Sequence, residues 1–382
     1  MKKYKEIDWS LVTIPIIVVF GLSFLLERFP KNSQLILEGI RSFLNNQLSF
    51  LYILVGLFFF ISTLYAAFSR IGRIKLGDST DKPEYSNLRW GVMIFTSTMS
   101  ADIIFYALCE WLMYSSEPFI KQKGTTMEWS LTYSLFHWGP IAWSFYLMLA
   151  VAFAYMLYVT KNKRQKFSEA CRPLLGKYTD GIAGKLIDLI AIFALTAGTA
   201  TTFSMSMPLL SQTVGVLFRI HQVKQLSIIL ICVVVSIYLI ASVIGMKAIS
   251  RLSTICYVFF IGLLLYVLLF SGSFSYIVDA GVQAVGNLTQ NFIGMATTTH
   301  SHSFTQNWTI YYWSYWIVWC VATPFFIGSI SRGRTIKDVV LRGYTWGLGG
   351  TFCAFVVLSS FGMSRQVQGL VNATQLISDG KN

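Results

Sequence analysis

Charged side chains are scarce in this chain of 382 residues: Asp and Glu together number 17, and the four charged types make up only 12% of it. A soluble domain carries about a quarter of its residues as charge, so an ordinary water-soluble fold is excluded. Crosslinking cysteine chemistry is absent too. Cys109, Cys171, Cys232, Cys256, Cys320 and Cys353 are scattered, five of them in apolar runs and none in a CxxC pair, which fits packing residues rather than disulfides or a zinc site. No GxxxxGKS/T motif occurs, so the chain has no ATP drive of its own. Neither HExxH, a Ser-His-Asp set nor paired carboxylates are placed for catalysis; no enzyme activity and no cofactor is expected. His300 and His302 form a lone HxH pair without a third ligand, read as a solvated loop rather than a metal site.

What the chain does have is apolar length. Hydrophobic residues make up 54%, and nine runs are long enough for helices that cross a bilayer: 9–26, 48–69, 90–113, 129–160, 182–217, 226–245, 252–271, 308–331 and 339–362. The fourth and fifth exceed one crossing, which implies tilt or continuation beyond the bilayer. The first run is too long for a signal-peptide core and is expected to stay. With the N-terminus in the cytoplasm, the inner segments hold 21 of the 30 Lys and Arg residues, the asymmetry expected of a multi-pass protein of the cell membrane. That distribution accounts for most of the net charge of +13 without a nucleic-acid partner. The segment 272–307 is polar to mildly amphipathic and reads as an outer surface helix.

The densest chemistry lies in Asn307-Trp308-Thr309-Ile310-Tyr311-Tyr312-Trp313-Ser314-Tyr315-Trp316-Ile317-Val318-Trp319. Aromatic faces attract cations, Trp most strongly; Trp308, Tyr311 and Tyr312, near the helix start, read as an interfacial belt. The fourth run adds Trp138, Trp143 and Tyr146. The last two share a helix face, and Gly139-Pro140 permits a bend that brings Trp138 toward them. Such a trio suits a cage for a quaternary ammonium group.

Five ionisable residues fall in or near the spans: Asp102, Glu110, His137, Lys185 and Asp188. Each needs a partner, a cavity or a function. Lys185 and Asp188, three apart, are expected to pair. Glu110, beside Trp111, reads as interfacial or structural. Asp102 lies near mid-span after Ser97-Thr98-Met99-Ser100-Ala101, where small residues permit local unwinding and supply oxygen ligands; Thr98, Met99 and Asp102 are therefore candidates for a coupling-cation site. The stretch Thr196-Ala197-Gly198-Thr199-Ala200-Thr201-Thr202 adds Thr199 and Thr202, with close helix packing as the alternative reading.

Phe136-His137-Trp138-Gly139 with Trp143 and Tyr146, Pro173-Leu174-Leu175-Gly176, Trp308-Thr309 with Tyr312-Trp313 and Trp316, and Ile330-Ser331-Arg332-Gly333-Arg334-Thr335 together resemble the betaine/choline/carnitine transporter family. The resemblance implies an all-α polytopic fold of LeuT-like architecture: two extra helices, then inverted five-helix repeats. Residues 89–271 would form the first repeat and 308–362 the start of a second, incomplete one within a single domain. It implies a substrate cage of Trp138, Trp143, Tyr146 and Trp316, with Trp319 along the path, and a homotrimer. Thr98 to Asp102 stands where the family has a glycine-rich stretch, and the glycines are replaced. Choline-transporting members are similar in having Asp there. A carboxylate favours a net cation over a zwitterion, so the expectation is import of choline, or a related trimethylammonium solute, driven by a H⁺ or Na⁺ gradient. The alternatives are a carnitine/betaine exchanger or a C-terminally truncated fragment that only binds ligand.

Overall fold

The computed structural model describes residues 8–98, 100–298, 303–373 and 375. Met99, His300, His302 and the last residues of the chain lie outside them. Three helices open the chain: α1 (Trp9–Arg28), α2 (Pro30–Gln47) and α3 (Ser49–Phe68). Next come α4 (Asn87–Thr98), α5 (Ser100–Ser116), the short α6 (Pro118–Lys121), α7 (Thr126–His137) and α8 (Pro140–Tyr158). Two short turns, α9 (Phe167–Ala170) and α10 (Arg172–Leu175), lead to α11 (Ile182–Phe218), α12 (Val223–Ile244), α13 (Met246–Phe270) and α14 (Phe274–Thr297). The last group is α15 (Ile310–Trp319), α16 (Pro324–Ser329), α17 (Ile336–Ala354) and α18 (Ser360–Val367).

Among the described residues, seven helical stretches are long and apolar enough to cross a membrane, or eight if the bent pair α4–α5 counts as one span. The protein is thus an all-α, polytopic membrane protein. The expected span at 308–331 is not one helix. A π-turn over Thr305–Thr309 feeds α15, and the chain then breaks before α16, which Pro324 starts. Proline cannot donate to the preceding turn, and it favours a first helical position. The third span bends by 60° between α4 and α5, where Thr98 to Asp102 had suggested unwinding. The amphipathic stretch before α15 is helical, as α14, and one face of it packs on α7.

Burial divides these helices sharply. α7 and α8 form one 33-residue stretch with 67% of its most apolar window buried, whereas the corresponding window of α12 has no buried residue. α8 is enclosed by α3, α16 and α17, and α5 by α7 and a second π-turn, Phe355–Ser359. These central helices hold the site; α12 and α13 turn Ile240, Val258, Phe259 and Tyr266 outward, as a lipid-facing surface does.

The Ser331-Arg332-Gly333-Arg334-Thr335 segment locks the loop after α3 to the start of α17. Arg334 is buried, its guanidinium 4.4 Å from the centre of the Trp90 ring, and it donates to the Asn87 side chain and the Tyr85 carbonyl. Trp90 Nε1 donates to Ser331 Oγ at 3.1 Å, and Arg332 pairs with Asp81. Backbone bonds from Leu76 to Arg334 and from Gly333 to Leu76 complete the clasp.

The expected Lys185–Asp188 pair does not form. Asp188 instead accepts from the backbone N–H and hydroxyl of Ser168 and lies 4.0 Å from Lys166. Satisfying two donors of a buried turn outweighs an exposed pair, which is worth little.

Candidate functional site: a buried aromatic cluster flanked by two carboxyls

Gly139 makes the turn that divides α7 from α8. A Cβ there would fall 2.3 Å from the Leu135 carbonyl oxygen, so no other residue permits this approach. The turn leaves Trp138 at the end of α7 and starts α8 at Pro140, with Trp143 and Tyr146 a turn farther on. Trp138, Trp143, Tyr146 and Trp316 are all fully buried. Trp138 meets Trp316 edge-on at 4.8 Å; Tyr146 lies 6.4 Å from Trp316 and 6.1 Å from Trp143. The four predicted cage residues are therefore neighbours, drawn from three helices.

Their polar ends are pinned. Trp316 Nε1 donates to the His137 carbonyl at 2.9 Å, and Trp143 Nε1 donates to Thr351 Oγ1 at 3.2 Å. Gly347 of α17 leaves room for the Trp143 ring, which a Cβ would strike at 2.5 Å. Phe355, in the second π-turn, packs on Trp138 at 5.4 Å. The first π-turn supplies Thr309, so both π-turns abut the cluster; such irregular turns concentrate at functional sites. Trp319 stands apart from the cage. It neighbours Tyr315 at 6.4 Å and presses on Gly198 of α11.

Asp102 occupies the first turn of α5 and is buried. Thr202 Oγ1 donates to it at 2.9 Å and Tyr315 Oη donates to Oδ2 at 2.9 Å. The Tyr315 ring lies 5.1 Å from Trp316, so one tyrosine joins the carboxyl to the cage. Thr98 and Thr199 are not brought to Asp102 by their hydroxyls, which bond back to carbonyls of their own helices at Ile94 and Leu195.

Tyr312, expected at the interface, lies instead at the centre, and so does Glu110, for which an interfacial and a structural place stood open. Tyr312 is fully buried, stacks at 4.9 Å on His137 and at 5.8 Å on Trp316, and donates to Glu110. Glu110 is fully buried as well, and Oε1 also accepts from Tyr114 at 2.7 Å and from Trp138 Nε1 at 3.4 Å. A tyrosine inside an aromatic run has the same local pattern whether it faces lipid headgroups or a core. The one signal available was Glu110 itself, a carboxyl eight residues after Asp102 on the same helix and thus within reach of the same interior. Trp308 and Tyr311 are partly buried and bond to Glu117 and Tyr106.

A buried aromatic cluster beside two buried carboxyls, in a polytopic helical scaffold, suits the recognition of a small organic cation or zwitterion. Comparison with known proteins agrees. The sequence profile of the "BCCT, betaine/carnitine/choline family transporter" family matches residues 10–382, and the chain belongs to that family. It is 30% identical over 314 residues to a probable glycine betaine transporter of Desulfitobacterium hafniense strain Y51, covering 81% of this chain and 63% of that protein. It is 29% identical over 359 residues to the glycine betaine transporter OpuD of Bacillus subtilis strain 168, covering 92% and 70%. A carnitine transporter of Acinetobacter baumannii is 29% identical over 341 residues, covering 85% and 60%. The chain thus spans roughly two thirds of the length of these relatives.

Proposed function

We propose that the protein imports choline or a closely related trimethylammonium solute across the cell membrane, its N-terminus in the cytoplasm, driven by a H⁺ or Na⁺ gradient. The observation that carries this reading is the hydrogen bond from Tyr315 to Asp102 together with the packing of Tyr315 on Trp316, which sets a carboxyl beside a cage of rings. Each ring contributes about 0.5–2 kcal/mol to holding a cation, and three or four rings reach micromolar to millimolar affinity after ordering costs. A net cation gains further from Asp102, whereas a zwitterion carries its own counter-charge. In Asp102→Gly, uptake of radiolabelled choline falls sharply; unchanged uptake refutes the choline assignment.

The rings touch one another, so a trimethylammonium group enters only as Trp138 and Trp316 part. Binding is therefore tied to a change of shape, as alternating access requires. The same reading carries inverted repeats, with 89–271 the first and 308–362 the start of the second, and a homotrimer, checked by the mass of the detergent-solubilised particle. The coupling ion sits at Asp102 and Thr202, with Thr98 at the end of α4 and Thr199 on α11 as further ligands once their hydroxyls turn from the carbonyls of their own helices, and with Met99, outside the described residues, as a third. Na⁺ and pH dependence of uptake separates the two ions.

A second reading, carnitine/betaine exchange, is favoured by the names of the relatives, glycine betaine and carnitine transporters. Counterflow that needs no cation gradient would decide for it.

A further inference from the structure

Glu110 is used by neither reading, yet no other carboxyl in the described residues is enclosed as it is. Oε1 takes three donors, from Tyr114, Tyr312 and Trp138, while Oε2 is buried with no hydrogen-bond partner, the hydroxyl of the neighbouring Ser134 donating to the Ser130 carbonyl instead. One oxygen crowded with donors and the other bare is an unbalanced setting. A carboxylate deep in low dielectric needs a counter-charge or a proton, and none of its three donors carries a charge.

A hydrogen-bonded chain leads away from it. Tyr114 Oη lies 2.7 Å from Glu110 Oε1 and 2.7 Å from His137 Nδ1, and His137 Nε2 lies 3.0 Å from Thr309 Oγ1. Trp308, one residue before Thr309, bonds at 2.7 Å to the partly exposed Glu117 at the end of α5. The chain can be polarised in two ways. With Glu110 protonated, the carboxyl donates to Tyr114, Tyr114 to Nδ1, and Nε2–H to Thr309. With Glu110 ionised, every donor is reversed: Thr309 to Nε2, Nδ1–H to Tyr114, Tyr114 to Oε1. Passing from the first state to the second takes one proton off the Thr309 hydroxyl, which is buried and passes it to water or buffer when that end of the chain opens, and leaves each intermediate group neutral.

The cage feels this change directly, because Trp138, which donates to Glu110, is also the ring packed on Trp316. We propose that Glu110 is a proton-exchange site: it is protonated when the cage is empty and releases its proton, through Tyr114 and His137, when a quaternary ammonium group binds beside Trp138. The cation then replaces the proton as counter-charge. This rests on the cage reading for the identity of the ligand, but not for the protonation of Glu110. The titratable groups facing Glu110 are Tyr106, Cys109 and Tyr114 of α5, His137 of α7, and Tyr311 and Tyr312 of α15. The π-turn Phe355–Ser359 packed on α5 contributes none. Of the charges on the other packed helices, Arg89 of α4, Lys121 of α6, Lys185 of α11 and Lys337 of α17 are exposed, Asp338 pairs with Arg342 on α17, Arg365 of α18 donates to the Ser271 carbonyl, and Asp188 of α11 accepts from Ser168.

The test uses the purified full chain and choline as the probe. Calorimetry in phosphate and in Tris, whose ionisation heats differ, reads the protons released per choline bound. Wild type is expected to release up to one, with affinity rising up to tenfold per pH unit by linkage. Glu110→Gln is expected to bind choline with no proton release and a flat pH profile; proton release that persists in Glu110→Gln overturns the proposal. If wild type does not bind choline, the cage reading fails, and infrared spectroscopy still decides on Glu110. The carbonyl stretch of an un-ionised carboxyl is expected at neutral pH, lost on alkalinisation and absent in Glu110→Gln, and its absence from wild type overturns the proposal. Tyr114→Phe keeps the carboxyl and serves if Glu110→Gln does not fold. It is expected to move the pH at which the band disappears, and an unmoved profile overturns the relay.

Discussion

Asp102 and Glu110 sit on one helix, eight residues apart, and face the same aromatic cluster from two settings. Asp102 follows the bend between α4 and α5 and is bonded by hydroxyls from two other helices, Thr202 of α11 and Tyr315 of α15. Both of its oxygens are satisfied. Glu110 lies in unbroken helix, saturated at one oxygen and bare at the other. Equal chemistry thus meets different surroundings: on the proposals made above, the carboxyl with both oxygens engaged serves as a fixed counter-charge and the lopsided one as a switch.

The largest effect expected separates the cage from both carboxyls. Trp316→Ala removes a ring shared by Trp138, Tyr146 and Tyr312, and choline affinity measured by calorimetry should fall by tenfold or more, from about 1–2 kcal/mol of lost cation-π attraction and further loss of packing. Next comes Asp102→Asn, which keeps the shape and removes the charge. Choline binding should weaken severalfold while glycine betaine binding holds, and equal loss for both ligands would dissolve the distinction between a counter-charge and a packing residue. Tyr315→Phe should cost less, about 1 kcal/mol, because Thr202 still bonds Asp102; competition binding of choline reads it.

The smallest effect lies away from the cage, in the turns between α8 and α11. Two donors from Arg172, and others from Asn162 and Arg164, hold the buried Glu169 carboxyl down to about 2, against the opposing pull of burial. Its pKa is lower folded than unfolded, so its contribution to stability is full above the ordinary carboxylate value of about 4.3 and is lost as pH falls toward 2. Arg172→Gln should leave stability at pH 3 less different from that at pH 6 than in wild type, as read by acid unfolding followed by circular dichroism.

Much of this arrangement was legible in the amino-acid order. Apolar runs located the crossing helices, small residues marked the bend before Asp102, and the three-residue spacing of Trp143 and Tyr146 placed them together. The misses share a cause. Hydropathy reports how apolar a stretch is, but not which neighbour its side chains meet, so Tyr312 looked interfacial and Glu110 stayed open between an interfacial and a structural place, although both are fully buried. Lys185 and Asp188 had the spacing of a helical pair, yet Ser168, twenty residues away, offered two donors. In the 308–331 run, composition outweighed Pro324, whose fixed ring and missing N–H end the span.

The claim on which the account stands is that the cluster of Trp138, Trp143, Tyr146 and Trp316 recognises positive charge. It is tested most directly by comparing choline with 3,3-dimethylbutan-1-ol, which replaces the quaternary nitrogen by carbon at nearly the same size. Calorimetric titration of the purified chain should show choline binding at least tenfold more tightly than the neutral alcohol; equal affinities would contradict the account.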